Sequence, residues 1–288
     1  IFIVFFYSSW MLSAEVNVYT SRHYDSDEKL YEDFTDSTGI KVNIISAKGK
    51  ALIERLRSEG NNSPADLLIT VDAGNLWKVQ EYGLFQEIKS KKIDAIVPAK
   101  FKGKNNEWVA LAKRARVIFY NPENLSNNDI QNLSYEDLSL PKWKDKIVIR
   151  SSNNMYNQSL VASIIAKKGE KHAENWARGF VNNFARKPQG NDRAQIIAVA
   201  NGEADLAIAN SYYLGFMLSG TKGEKQLAAG KKVKILFPSQ DSDGAHVNIS
   251  GAGILKSSKN YDNALKFLEF MLSEKAQKHL VDNTYEYP

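Results

Sequence analysis

The chain contains no cysteine, which excludes disulfides, iron–sulfur clusters, thiolate metal sites and cysteine nucleophiles. Its compartment stays open on that ground, because exported bacterial proteins often lack cysteine. Histidine is scarce, with four residues in 288. His172, His246 and His279 fall in helical or loop patterns without metal-type spacing and read as structural. Motifs of common catalytic sites are missing too: there is no G-x-S-x-G elbow, no H-E-x-x-H, no P-loop and no complete G-x-G-x-x-G. The chain therefore reads as a non-enzyme. It carries no internal repeat and no low-complexity segment.

What is present describes a soluble globular protein: 43% of residues are hydrophobic and 25% charged. The length suits two lobes of ordinary domain size, each with its own core. A net charge of +5 with a pI near 9.0 comes from 38 basic residues scattered along the chain. Stretches such as EIKSKKID read as solvated lysines, and no nucleic-acid partner is expected. The opening IFIVFFYSSWMLSA is an apolar run ending in small residues, too short to span a membrane comfortably. It reads as the remnant of a signal peptide over residues 1–14, with cleavage after Ala14 and export as the consequence.

From Glu15 the pattern alternates. EVNVYTS, KVNIISA and ADLLITVDA read as strands; DSDEKLYEDFTDSTG, ALIERLRSEG and GNLWKVQEYG read as helices, the first two ended by Gly39 and Gly60. That rhythm indicates parallel βαβ units, so the class is α/β. Around VALAKRARVIFYN the runs lengthen, as expected for a crossing between lobes. KIVIRS and DLAIAN read as further strands, and helices are expected near Met155–Lys168, through KHAENWARGFVNNFA and through DRAQIIAVANGEA. After the extended HVNISGAGILKSS comes one long amphipathic helix, NALKFLEFMLSEKAQKHL. The division expected is residues 15–115 with 239–288 as the first lobe and 116–238 as the second.

Four tyrosines recur at junctions where a strand-like run stops, a polar stretch follows and a helical pattern begins: Tyr24, Tyr156, Tyr212 and Tyr213. An open α/β sheet gathers its ligand-binding groups at such places, and a helix N-terminus favours a phenolate. A neutral phenol, with a pKa near 10, is a poor metal ligand. A trivalent cation can deprotonate it outright, and hard oxygen donors suit hard cations. Ferric iron is the chemically coherent choice. Tyr212 and Tyr213 can share one ion only where the backbone turns, and Ser211 is placed to cap that turn. Taken singly each tyrosine fits core or rim packing; four at equivalent junctions fit packing and ligation alike.

His23, beside Tyr24, fits a nitrogen ligand and a hydrogen-bonding neighbour equally well. Arg114 and Arg116 alternate on the extended run, and Arg22 lies near the first tyrosine. Iron(III) with four phenolates carries a formal −1 charge, which a guanidinium can offset, or the arginine can hold an anion that completes the shell. The alternative is that these arginines lie on the surface.

The blocks TSRHY, LIERLRSEGNNSPADLLITVDAGNLW, RARVIFYN, MYNQSLVASII, NGEADLAIANSYY and HVNISGAGILKSSKN, in this order, resemble the ferric-iron-binding periplasmic proteins of ABC importers, most closely the cyanobacterial FutA group. The resemblance covers nearly everything after Glu15. It implies a two-lobed type II periplasmic-binding-protein fold closing about a hinge, with Fe(III) in the interlobe cleft as the transported ligand and a synergistic anion or water beside it. It also implies a periplasmic monomer that delivers to an inner-membrane ABC permease. By position, Tyr24, Tyr156, Tyr212 and Tyr213 match the family's ligands, with His23 a ligand in some members. Arg114, with Arg116 as second choice, matches an arginine beside the site. Relatives often carry an arginine soon after the paired tyrosines, whereas LGFMLSG here has none. A binding protein of the same fold for an organic or oxyanionic solute is the competing expectation, and it would not need the tyrosine pair.

Overall fold

The computed structural model describes residues 14–22 and 24–288. The signal-peptide expectation for the opening segment, up to residue 13, and the expectation for His23 lie outside the described residues. Strands run β1 (Glu15–Thr20), β2 (Lys41–Ser46), β3 (Leu67–Val71), β4 (Val109–Tyr120), β5 (Ile147–Val148), β6 (Leu206–Asn210), β7 (Lys234–Leu236) and β8 (Val247–Ile254). The helices are α1 (Asp27–Thr38), α2 (Gly49–Glu59), α3 (Ala73–Glu81), α4 (Lys91–Ile96), α5 (Asn127–Ile130), α6 (Met155–Lys168), α7 (Glu170–Asn182), α8 (Asp192–Ala200), α9 (Tyr212–Leu218), α10 (Glu224–Lys232), α11 (Tyr261–Met271) and α12 (Glu274–Thr284). The chain divides into two compact units, and the class is the expected α/β.

Unit one runs up to Thr70 and adds Val79–Val109 and Ala252–Ala276. Its β1 pairs in parallel with β2, from Glu15↔Lys41 to Thr20↔Ser46, and with β3 on its other side. Parallel neighbours need a crossover, and α1 and α2 supply it. Asp27 and Glu28 sit in the first turn of α1, where the helix dipole favours them. Gly39, at φ 70°, ends that helix with its N–H on the Thr35 carbonyl, a left-handed position that costs glycine no steric strain. Leu30 and Phe34, one turn apart, form the buried stripe, and Phe34 meets Phe267 edge-on at 5.0 Å.

Unit two comprises Val71–Lys78, Ala110–Gly251 and Gln277–Pro288. Here β4 is antiparallel to both β6 and β7, while β5 lies parallel to β6. The two-residue period of β4 sorts its side chains onto two faces. Val117 and Phe119 enter one apolar cluster with Ala207 and Ala209. Ile118 and Tyr120 enter another with Leu206, Ile208, Trp143 and Trp176. Arg114 and Arg116 continue the second face beyond its apolar part, and Arg116 stands in register opposite Asn210.

Two expectations change. KIVIRS yields only a two-residue strand, β5. The long C-terminal helix is two helices, because the chain breaks at Leu272 and Ser273; the Ser273 hydroxyl accepts from Ala276 N at 3.3 Å and starts α12. A serine at such a point offers the backbone a cap in place of helix continuation.

Candidate metal centre

Unit two carries three of the four candidate tyrosines. Tyr156 occupies the second position of α6, where the Asn154 side chain caps the helix by accepting from Tyr156 N at 3.0 Å. Tyr212 and Tyr213 open α9 immediately after β6, so the backbone turn demanded for a shared ion is present. Their ring centroids lie 4.3 Å apart at an interplanar angle of 35°. Ser211 does not cap this turn as expected: its backbone is already helical (φ −57°, ψ −40°), which keeps its hydroxyl off the following N–H groups. The turn is held instead by Ser211 N donating to the Ala115 carbonyl at 2.9 Å.

Burial, with Asp192 and Tyr156 adding to it, pushes the Tyr213 phenol up to about 12, against a lowering hydrogen bond with Tyr212. At neutral pH that phenol keeps its proton until a strongly charged cation displaces it.

Arginines surround this cluster. The guanidinium carbons of Arg114, Arg150 and Arg116 lie 5.1, 5.6 and 5.9 Å from the Tyr156 ring centroid. Arg114 is 2% exposed, as is Arg116, so neither is a surface residue. Arg114 Nη1 donates to Ser250 Oγ at 3.2 Å and lies 3.7 Å from Glu286 Oε1, to which Ser250 Oγ donates at 3.0 Å. The Nε and Nη2 of Arg114 are buried without a hydrogen-bond partner. Burial works against its charge, but Tyr156, Glu286, Tyr212 and Asp72 outweigh burial and hold its pKa above the ordinary value. Two orphaned donors on a fully charged guanidinium make an anion-seeking group.

Unit one carries Tyr24, between β1 and α1, with its carbonyl accepting from Asp27 N at 2.9 Å. Arg22 stands 5.0 Å over the Tyr24 ring. Its Nε donates to Asp27 Oδ2 at 2.8 Å, a buried ion pair with side chains 1% and 4% exposed. Arg22 too is therefore no surface residue.

The bacterial extracellular solute-binding protein family matches residues 62–288. The chain belongs to that family. Iron uptake protein A1 of Synechocystis is 49% identical over 274 residues, spanning 95% of this chain and 75% of that relative. The solved structure of Trichodesmium FutA, in complex with iron and citrate ligands, superposes with a TM-score of 0.90 at 51% identity, covering 96% of this chain and 86% of that one. The ferric binding protein of Campylobacter jejuni gives 0.89 at 44% identity, over 95% and 86%. The solute-binding fold follows, and these relatives are named for iron uptake and iron binding rather than for a reaction.

In this family member the sequence reading overlooked four buried or half-buried charges around the tyrosines: Asp72, Arg150, Asp192 and Glu286. Asp72 adopts a left-handed backbone, φ 84°, uncommon for a residue with a Cβ. Its carboxylate accepts from Ser159 Oγ at 2.8 Å, Asn248 Nδ2 at 2.7 Å and Gly74 N at 3.0 Å. Burial raises its pKa, against the lowering influence of Arg114 and these donors. Asp72 sits between β3 and α3, so the rule that picked out the tyrosines would have found it; Asp192 opens α8 after a loop that follows α7, and no strand marks it. Glu286 had no such signal. Arg150 brings a guanidinium to Tyr156 from the end of β5, whereas α9 carries none.

Proposed function

We propose that this protein captures Fe(III) in the periplasm, as a monomer, and delivers it to an ABC permease in the inner membrane. The observation that carries this reading is the arrangement in unit two: the Tyr212–Tyr213 ring pair at 4.3 Å, with the Arg114 guanidinium 5.1 Å over the Tyr156 ring. The Tyr213 phenol, pushed up to about 12 chiefly by burial, has little reason to ionise by itself; a trivalent cation supplies one. Tyr156, Tyr212 and Tyr213 act as ligands, and Tyr24 of unit one is the fourth. Each gives up its proton on binding, so capture releases protons and acid competes with iron.

Four phenolates on Fe(III) leave one excess negative charge, and Arg114 offsets it. The unpartnered Nε and Nη2 of Arg114 suit a small oxyanion, such as a carboxylate or carbonate, or a water that completes the shell. The relatives named for ferric iron support the same cargo. Arg22, with its charge met by Asp27, braces Tyr24 by lying over its ring.

Loading the protein with Fe(III) tests the reading. One equivalent should bind, visible phenolate-to-iron charge-transfer absorbance should appear, and affinity should fall as pH drops. A colourless stoichiometric complex, or binding indifferent to pH across the acidic range, would refute phenolate ligation. The orphaned donors of Arg114 also favour a second reading, capture of an oxyanionic solute alone. Tyr213→Phe separates the two: it should weaken iron binding strongly while leaving an anion held by Arg114 almost untouched.

A further inference from the structure

Behind the tyrosines of unit two lies a polar centre that ligation itself does not use. Asp192, fully buried, opens α8, whose N-cap Asn191 accepts from Ala194 N at 3.1 Å. Its carboxylate therefore sits at the positive end of a helix. Arg116 Nη1 donates to Asp192 Oδ2 at 2.5 Å, and Arg150 Nη1 approaches Oδ1 at 3.5 Å. The other contacts of this pair lead outward. Arg116 Nη2 donates to Asn157 Oδ1 at 2.6 Å, and Asn157 follows Tyr156 directly. Asn157 Nδ2 donates in turn to the Arg150 carbonyl at 2.9 Å, closing the loop before α6. Asn210 N donates to Asp192 Oδ2 at 3.3 Å, and Asn210 Oδ1 accepts from Arg116 Nη1 at 3.3 Å. Asn210 ends β6, two residues before Tyr212.

We propose that Asp192, acting through Arg116 with Asn157 and Asn210 as its two arms, is a positioning residue that fixes the Tyr156 junction against the Tyr212–Tyr213 junction. The inference rests on the Fe(III) reading above. Fold stability is a poor explanation for the centre, because replacing a buried ion pair by apolar groups is often neutral or stabilising. Ligand geometry is a better one. Three phenols from two separate helix starts must meet one ion within a few tenths of an ångström, and hydrogen-bonded partners behind ligands commonly set that orientation. A side-chain network with both strand and helix ends tied to one carboxylate gives the two junctions a common reference point.

The test uses the full chain saturated with Fe(III). Asn157→Ala cuts one arm without changing charge, Asn210→Ala removes the side-chain contact of the other to Arg116 while its backbone N–H stays on Asp192, and Asp192→Asn removes the carboxylate at constant shape. The control is Asn183→Ala, another buried asparagine of unit two, which donates to the Leu138 and Leu140 carbonyls at 2.9 and 2.8 Å. Both arm variants should lose about 10- to 100-fold in Fe(III) affinity and lose charge-transfer absorbance per bound iron. Asn183→Ala should lower the melting temperature while leaving affinity and absorbance per iron at the wild-type level. If Asp192→Asn fails to fold, the two arm variants decide alone. Wild-type colour and affinity retained in both overturn the inference, even if both melt earlier. Absence of colour in the wild type overturns the iron reading, and the inference with it, so the two failures are distinguishable.

Discussion

In unit one, Arg22 is held by Asp27 in a buried pair, 2.8 Å from Nε to Oδ2, and Tyr24 lies under a guanidinium whose charge is already met. In unit two, Arg114, Arg116 and Arg150 face Asp72, Asp192 and Glu286 around three phenols, and Arg114 keeps two buried donors without a partner. The first arrangement is complete before any cargo arrives. The second is not, since buried donors left open cost free energy until something accepts from them. On the proposed reading, the difference gives Arg22 a supporting role and Arg114 charge compensation, although both arginines are buried.

The sharpest way to break this contrast is to remove each arginine in turn. Arg22→Leu strands Asp27 and should cost about 3–5 kcal/mol of apo stability by denaturant unfolding. Arg114→Leu should cost less, because its 3.7 Å pair with Glu286 is looser than the 2.8 Å pair of Arg22 with Asp27, Glu286 keeps Ser250 as a donor and two orphaned N–H groups disappear. Equal losses would erase the distinction. Next in size, Tyr213→Phe should lower Fe(III) affinity by about 100-fold or more, beyond what partners behind a ligand usually contribute. Competition with a chelator measures it, and a change under threefold would remove Tyr213 from the ligand set.

A smaller effect concerns how α9 is seated. A Cβ on Gly215 would fall 2.3 Å from Tyr285 Cγ, so Gly215→Ala should cost about 1–3 kcal/mol through overpacking and disturb the helix that begins with the tyrosine pair. Calorimetry of the apo protein checks the first part, and absorbance per bound iron the second. The smallest effect is a pH dependence. Burial, then Arg116, Arg114 and Lys167, lower the His246 pKa from 6.5 to about 4. A histidine kept neutral by the fold contributes stability above 6.5, and that contribution is lost as pH falls toward about 4. Between pH 6.5 and 5.5 the loss should be about 1 kcal/mol, and His246→Gln should flatten that part of the stability profile. An unchanged slope would rule His246 out as its source.

Much of the fold was readable in the chain because it rests on local periodicity. The Met155–Lys168 helix, the glycine ends of α1 and α2, and the strand at DLAIAN follow from spacing and turn chemistry alone. The break between α11 and α12 did not, because apolar spacing continues across Leu272 and Ser273 while the serine cap competes with helix continuation. Ser211 failed as a cap for the opposite reason: its residue type was suitable and its backbone conformation was not.

The candidate site divides in the same way. The sequence by itself determined which chemistry is available: no thiolate, little imidazole, and phenols repeated where strands give way to helices. Resemblance to ferric-iron-binding proteins added the order of those phenols. Only the tertiary structure decided the company they keep. Arg116 finds its counter-ion 76 residues away in Asp192, and Arg114 reaches Glu286 through Ser250 near the C-terminal end of the described chain. No local pattern encodes such pairings, because burial of a charge and the partner that makes it tolerable are fixed together by packing.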